Sequence, residues 1–221
     1  FTGSTASQTF VVSNNGTANL SVTATTLIGT APTPFSIASG GGAFTLSAGA
    51  TRNLKVTFRP SSIGEQKATL RIAHNDSDEN PLDLLLIGIG VEPNIVVRPD
   101  QLDFGHVLMD SGFVRVLSIK NSGTAELRLT ALHVAGPDSS LFTIESSDSS
   151  FALAPADSKQ VAIRFQPGSP GRKEATLRLA SNDPDTPQLD IPLGGDGVVP
   201  EISVAPDSVD FGLIAIDSSA T

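Results

Sequence analysis

Apolar and polar residues alternate along most of this chain, as they do in strands that bury one face. Between residues 54 and 59, Leu54, Val56 and Phe58 are apolar and the residues between them are polar. Residues 161–165 repeat the alternation, and Gly, Pro and Asn mark the turns. About seven short strands per module predict an all-β, immunoglobulin-like antiparallel β-sandwich.

The pattern occurs twice. Residues 14–17 (Asn-Asn-Gly-Thr) match residues 121–124 (Asn-Ser-Gly-Thr), and the register then holds without a gap. A repeat of about a hundred residues is the size of a domain. We therefore predict tandem domains at residues 1–92 and 93–199, with residues 200–221 as the opening strand or strands of a third repeat.

The last strand of the first domain is apolar on both faces. Its extra apolar residues, Leu85 and Ile87, are expected to be covered by the neighbouring module, because exposed apolar edges invite pairing. Pro192 aligns with Leu85, so the second copy of this strand is expected to be an edge or to carry a bulge there. The junction, residues 90–93 (Gly-Val-Glu-Pro), is short and contains proline, which predicts a semi-rigid rod.

Composition narrows the classes of partner. The net charge is −9, which argues against nucleic acid or an anionic membrane as the main partner. The chain has no cysteine, so disulfides and thiolate metal sites are excluded. No apolar run approaches the length of a membrane span, and we expect no membrane insertion.

The sequence offers little chemistry for catalysis. His74, His106 and His133 are the only histidines, and none has a histidine counterpart in the other copy. The common hydrolase, nucleotide-binding and zinc-protease motifs are absent. We therefore expect no enzyme activity and no cofactor.

One weak metal candidate lies in the turn before the last strand of the first domain. Asp76, Asp78 and Asn80 have the alternate spacing of a calcium loop, but Pro81 follows at once and the later glycine and glutamate are missing. The favoured interpretation is a hairpin turn capped by Asx side chains.

Six landmarks follow one another in the second copy: Asp103-Phe104-Gly105, Asn121-Ser122-Gly123-Thr124, Phe142-Thr143-Ile144, Phe165-Gln166-Pro167 with Gly171, Asn182-Asp183-Pro184-Asp185, and Gly195-Asp196-Gly197. Together they resemble the ASH domain family, whose members include hydin-type ciliary proteins, and the bacterial choice-of-anchor D modules. The resemblance implies an immunoglobulin-like sandwich related to the major sperm protein and PapD folds. It implies no catalytic activity.

The two ends of the chain match each other. Phe1 aligns with Leu108, so the first domain is expected to lack the opening strand of the second. That strand's pattern recurs after residue 200, with apolar residues at Ile202, Val204, Val209, Phe211 and Ile214. The chain is either a segment of a longer array or a donor-strand protein. In the second case residues 200–221 fill the first domain of the next molecule, head to tail, and build filaments.

These features favour a rigid spacer or an adhesive, filament-forming segment of a bacterial surface or secreted protein. Its expected partners are other proteins or further copies of itself, outside the cell. A cytosolic ciliary or centrosomal scaffold of hydin type, and an accessory module of a secreted hydrolase, remain as alternatives.

Overall fold

The computed structural model describes residues 4–31, 33–146 and 148–213. The first seven strands form one unit: β1 (Ala6–Ser13), β2 (Leu20–Ile28), β3 (Phe35–Ser39), β4 (Phe44–Leu46), β5 (Thr51–Phe58), β6 (Gly64–His74) and β7 (Leu82–Gly90). They make a three-stranded sheet in the order β1-β5-β3 and a four-stranded sheet in the order β4-β2-β6-β7.

The other nine strands form a second unit: β8 (Ile95–Arg98), β9 (Leu102–Leu108), β10 (Phe113–Asn121), β11 (Leu127–Ala135), β12 (Phe142–Ile144), β13 (Phe151–Leu153), β14 (Ser158–Phe165), β15 (Gly171–Ser181) and β16 (Gln188–Val198). A short 3-10 helix (Ser139–Leu141) precedes β12. The sheet orders are β12-β14-β10-β8 and β13-β11-β15-β16-β9.

Each unit buries its own apolar core. The inward positions predicted from the alternation are confirmed, since Leu54 and Val56 are buried in the first unit and Val161, Ile163 and Phe165 in the second. The tandem immunoglobulin-like all-β fold is therefore confirmed. The second unit exceeds the expected seven strands because its opening segment supplies two, β8 and β9. Strand β9 pairs in parallel with β16, whereas the other ladders are antiparallel.

Strand β16 is not an edge, because β15 and β9 flank it. Pairing with β9 begins at Leu193, one residue after Pro192, and the register shift lies between Gly194 and Asp196. The prediction of an edge or a bulge at Pro192 is therefore wrong: the strand is internal, and its irregularity lies two to four residues after Pro192. Proline is accommodated because the neighbouring ladder has not yet started there.

The prediction that the neighbouring module covers Leu85 and Ile87 is also wrong. Their side chains are 58% and 54% exposed, and every extensive contact between described strands joins strands of the same unit. The reason is the short junction. It meets the second unit beyond Gly90, whereas Leu85 lies five residues earlier, about 17 Å back along the strand.

Among the described residues, no helix is long and apolar enough to cross a bilayer.

Candidate interaction site

The opening strands of the second unit close one side of its sandwich. Strand β8 pairs with β10 and strand β9 with β16, so each extends one of the two sheets. Their inward side chains are all buried: Ile95, Val97, Leu102, Phe104 and Val107. This strand pair is therefore part of the core.

Phe104 on β9 completes an aromatic cluster. Its ring centroid lies 5.6 Å from that of Phe142 and 5.5 Å from that of Phe165, and the last two rings stack at 4.6 Å. Gly195 lies against the same cluster, because a Cβ there would fall 2.5 Å from the Phe165 ring. The first glycine of the Gly-x-Gly landmark thus makes room for phenylalanine.

A buried carboxylate fixes the start of β8. Asp183 is 2% exposed, and its Oδ2 accepts the amide N–H of Ile95 at 2.8 Å. Its Oδ1 accepts the amides of Asp185 at 2.9 Å and Thr186 at 3.1 Å within the β15–β16 hairpin. Asp183 therefore joins this hairpin to the opening strand.

A buried amide side chain does the same from the other sheet. Asn121 Nδ2 donates to the carbonyls of Ala125 at 2.8 Å and Leu153 at 3.0 Å. Its Oδ1 accepts the amides of Gly123 at 3.0 Å and Asn94 at 3.3 Å. Asn94 immediately precedes β8, so this side chain also anchors the opening strand.

Gly123 is required by close approach. A Cβ at this residue would lie 2.4 Å from the carbonyl oxygen of Glu92 and 2.5 Å from the amide nitrogen of Asn94. The segment leading into β8 thus passes directly over Gly123.

The first unit has the corresponding walls, and its described residues include no opening strand pair between them. Strands β1 and β7 align with β10 and β16, and both are edge strands. A groove of about 760 Å³ lies between them, with Phe10, Val12 and Leu84 among its lining residues. Leu84 is 40% exposed, whereas its counterpart Ile191 is 2% exposed. We call this feature the edge groove.

The edge groove has an equivalent of Asn121, the polar side chain that anchors the opening strand in the second unit. Asn14 Nδ2 donates to the carbonyls of Ala18 at 2.7 Å and Leu46 at 2.9 Å, and its Oδ1 accepts the amide of Gly16 at 3.0 Å. These bonds repeat three of the four that Asn121 makes. The fourth, from an amide such as that of Asn94, has no counterpart among the described residues.

Asp76 aligns with Asp183. Its Oδ1 accepts the amide of Asp78 at 3.2 Å, and no amide of an opening strand reaches it within the described part of the chain. The first unit thus has a carboxylate and a side-chain carbonyl placed to receive backbone amides.

The weak calcium candidates make turn contacts. Besides the bond between Asp76 and Asp78, Asn80 Oδ1 accepts the amide of His74 at 3.2 Å. No group of three or more His, Cys, Asp or Glu residues is placed to hold a metal in the described ranges. These contacts are those of the Asx-capped hairpin that the sequence favours.

The predicted interaction residues do not meet in one place. Ile202, Val204, Val209 and Phe211 are all exposed in residues 199–213, where no strand forms. Ile214 lies outside the described residues. A segment with this pattern needs a sheet edge to become a strand, so its role as the start of a third repeat stays a prediction.

Leu85 and Ile87 lie on the outer face of β7, away from the edge groove. Sequence reasoning missed the residues that line the groove, such as Leu84 and Phe10. The signal was available, because Leu84 aligns with Ile191, which contributes to the core that β8 and β9 complete.

An exposed ion pair joins β6 and β7 on the outer face. Arg71 Nε and Nη2 donate to the two carboxylate oxygens of Asp83 at 2.8 and 2.7 Å. This hydrogen bonding lowers the pKa of Asp83 and raises the pKa of Arg71.

Comparison with known families assigns each unit. Residues 2–80 match the ASH model (abnormal spindle-like microcephaly-associated, ASPM-SPD-2-Hydin), and residues 93–195 match the HYDIN/CFA65/VesB-like immunoglobulin-like domain. The first unit is thus an ASH-type domain, and the second is a HYDIN/CFA65/VesB-like immunoglobulin-like domain. The predicted resemblance is thereby confirmed, and domains of this type typically serve as non-catalytic protein-interaction modules. The relation to choice-of-anchor D modules stays a prediction.

Solved structures with similar folds come from several sources. The ASH/PapD-like domain 7 of human CEP192 is 20% identical, with coverage of 50% of this chain and 89% of that domain, at a TM-score of 0.39. A Porphyromonas gingivalis W83 protein of unknown function is 18% identical, with coverage of 87% and 91%, at a TM-score of 0.40. The VesB protease of Vibrio cholerae is 10% identical, with coverage of 81% and 62%, at a TM-score of 0.37. Similarity at this level carries no information about function. No curated protein matches the chain.

Proposed function

We propose that this chain is a non-catalytic spacer and interaction segment of a secreted or bacterial surface protein, and that the edge groove of its first ASH-type domain is a place for a strand pair like β8 and β9. One observation carries the proposal: the two domains have corresponding walls, and the second holds β8 and β9 between them where the first presents a groove. The strands that fill this place in the second domain support a strand as the occupant in the first.

The shape and chemistry of the groove support a strand rather than a small molecule. Each wall is a sheet edge, and an edge binds an extended peptide through main-chain hydrogen bonds. The floor is apolar and suits alternate side chains of such a peptide. Asn14 Oδ1 and the Asp76 carboxylate are acceptors that suit its amides.

The polar lining supports a non-catalytic role. His74 is the histidine at the groove, and its Nδ1 accepts the backbone amide of Asp76 at 3.2 Å. No carboxylate oxygen is hydrogen-bonded to this ring in the described residues, so it lacks the orienting partner of a catalytic base.

A strand graft tests the groove. Residues 93–107 of the second domain are fused directly before Phe1, in the alignment that places Phe1 at the position of Leu108. We expect the first domain to unfold at a temperature higher by at least about 5 °C, since the graft buries several apolar side chains. The matched control carries Phe104→Asp within the graft. Equal melting of grafted, control and unaltered chains would contradict strand binding.

The name of the family matched by the second domain favours one alternative. A VesB-like domain suits an accessory module beside a secreted hydrolase, whereas the ASH match of the first domain also suits a cytosolic hydin-type scaffold. Fractionation of the native source separates these possibilities. We expect the protein in periplasmic, shed or surface fractions, and recovery with cytosolic cytoskeleton would contradict an extracellular spacer.

A further inference from the structure

We infer that the outer face of strands β6 and β7 is a self-association surface, through which two copies of this chain pack about a two-fold axis. The inference goes beyond the proposed function and does not depend on the edge groove. We call this surface the outer patch, and it consists of Leu85, Ile87 and Ile89 on β7 with Thr69 and Lys67 beside them on β6.

The outer patch exposes a continuous row of aliphatic side chains. Leu85 is 58% exposed, Ile87 54% and Ile89 63%. They occupy alternate positions of β7, so they lie on the same side of the sheet. Leu86, between the first two, packs against the core on the other side. Because burial of aliphatic surface is favourable, covering this row would stabilise a complex.

The exposure belongs to the face of the sheet and not to its edge. Pro192 is the counterpart of Leu85, and it is exposed although β9 lies beside β16. The second unit does not cover the patch either, since every extensive contact between described strands joins strands of one unit. Leu85 is therefore accessible to a partner whichever strand lies beside β7.

The fold itself does not require the aliphatic row. In the second unit the counterparts of Ile87 and Ile89 are Gly194 and Asp196, and Arg172 lies across the ladder from Asp196. The same face of the second unit is thus polar, although its core is closed. Packing within the domain therefore does not account for the row in the first unit.

Charged residues flank the row at both ends. At one end Arg71 donates hydrogen bonds to Asp83, and at the other end Lys67 forms an ion pair with Glu65. Two positive and two negative charges cancel on this face, whereas the whole chain carries −9. Two copies can therefore bring these faces together without the repulsion that their net charge causes elsewhere.

An antiparallel two-fold arrangement matches both the row and the charges. Pairing between the strands sets four levels across the face: Arg71 with Asp83, Thr69 with Leu85, Lys67 with Ile87, and Glu65 with Ile89. With the axis perpendicular to the strands and between the two middle levels, each Leu85 packs against Ile87 of the other copy. Arg71 of each copy then faces Glu65 of the other, so opposite charges meet twice.

Parallel arrangements do not match in this way. With the axis along β7, Asp83 would face Asp83 of the other copy. With the axis between β6 and β7, Leu85 would face Thr69 and Ile87 would face Lys67. Like charges in the first case, and apolar groups against polar groups in the second, disfavour both. The charge pattern therefore selects the antiparallel arrangement.

The size of the face suits a weak dimer. Three strands over eight residues cover about 14 by 27 Å. Two such faces bury an area at the low end of specific interfaces, below about 1,200 Å² in total. We therefore expect a dissociation constant on the order of 100 μM. Aligned sheets pack about 10 Å apart, a gap that the long Arg71 side chain can cross to reach Glu65.

A charge exchange across the axis tests the inference. Glu65→Arg and Arg71→Glu are made in separate chains, so that each homodimer brings like charges together twice. Mixed in equal amounts, the two variants restore both opposite-charge pairs in a heterodimer. Sedimentation equilibrium with interference optics suits a chain without Trp or Tyr.

The unaltered chain should form dimers and nothing larger, because an isologous contact closes at two copies. Each charge variant alone should dimerise at least about 10-fold more weakly, and the mixture should return to within about threefold of the unaltered affinity. A mixture as weak as its components would overturn the inferred arrangement, and an unaltered chain that stays monomeric up to about 1 mM would overturn self-association itself.

Leu85→Ser tests the aliphatic row. It should weaken the dimer about 10-fold or more, because two half-exposed leucines leave the interface. Val116→Ser is the matched control, since Val116 is 46% exposed on β10 of the second unit and lies outside the outer patch. Equal affinity of the two variants would contradict the inference. Thermal unfolding of each variant distinguishes a lost contact from a lost fold.

The strand graft separates this inference from the proposed function. The graft would fill the edge groove and leave the outer patch free, so the grafted chain should dimerise with unchanged affinity. Stabilisation by the graft in a chain that never dimerises would reject the outer patch alone. Dimerisation without stabilisation by the graft would reject the edge groove alone.

Discussion

The described strands of the two domains correspond, except that only the second domain has the opening strands β8 and β9. This difference changes whether equivalent residues are buried or exposed. In the second domain Asp183 and Ile191 are buried, structural residues of a closed sandwich. Their counterparts Asp76 and Leu84 are exposed at a groove. A position in this fold is therefore buried or exposed according to whether an opening strand pair lies beside it.

The same comparison explains the family landmarks. Asn-x-Gly-Thr, Asn-Asp-x-Asp and Asp-Phe-Gly are distant in sequence, yet in the second domain all three contribute to holding β8 and β9. They describe how an opening strand pair is held, and the first two recur in the first domain.

The largest expected contrast is between equivalent core phenylalanines. Phe165→Ala should destabilise the second domain by about 3–5 kcal/mol, because it removes a fully buried ring from a three-ring cluster. Phe58→Ala should destabilise the first domain by only about 2 kcal/mol, since Phe58 is half-buried. The chain has no Trp or Tyr, so denaturant unfolding is best followed by hydrogen exchange of each domain. Equal losses would argue that the two cores are equally closed.

The second largest contrast in stability is expected between the aligned aspartates. Asp183→Ala leaves the Ile95, Asp185 and Thr186 amides without their acceptor and should cost about 2–3 kcal/mol. Asp76→Ala loses one turn contact at an exposed site and should cost well under about 1 kcal/mol. Thermal unfolding of the two variants measures both. A loss from Asp76→Ala as large as that from Asp183→Ala would mean that Asp76 already holds a buried strand.

The aligned glycines give a smaller contrast. Gly123→Ala places a methyl group against the backbone of residues 92–94 and should cost about 1–3 kcal/mol. Gly16→Ala should leave the stability of the monomer unchanged. Both are measured by denaturant unfolding. Clear destabilisation by Gly16→Ala would contradict an open space above Gly16.

The smallest effect concerns pH. Because Arg71 lowers the pKa of Asp83 in the folded state, the pair stabilises the first domain above the pKa of the unfolded carboxyl, about 3.9. This contribution is lost as the pH falls through the lowered pKa. The melting temperature of Asp83→Asn should lie slightly below that of the unaltered chain at pH 7, and the gap should close in acid.

Asp190→Asn provides the matched comparison in the second domain, where Arg178 Nε is 3.5 Å from Asp190 Oδ2. A gap that widens in acid for Asp83→Asn would contradict a lowered pKa of Asp83 in the folded state.

Much of the fold is predictable from the sequence. Period-two alternation places Leu54, Val56 and Ile163 inward because burial of one sheet face leaves a direct pattern in the chain. The parallel pairing of β9 with β16 is not predictable in this way, because alternation does not show which strands are neighbours.

The candidate site is predictable only in part. The matching ends of the chain indicated an opening strand and its possible acceptor, but the buried roles of Asn121 and Asp183 did not follow, since polar residues in turns ordinarily remain exposed. The prediction that the neighbouring module covers Leu85 was wrong. An apolar residue on an outer face indicates that burial there would be favourable, but it does not identify which surface would bury it.

The central claim is that the first domain is the second without its docked strand pair. The most direct test is hydrogen exchange, followed by mass spectrometry, on the chain as it is warmed. The account predicts that amides of β1 and β7 lose protection at clearly lower temperature than those of β10 and β16, and that grafting residues 93–107 before Phe1 removes most of the difference. Simultaneous loss of protection in both domains, unchanged by the graft, would contradict it.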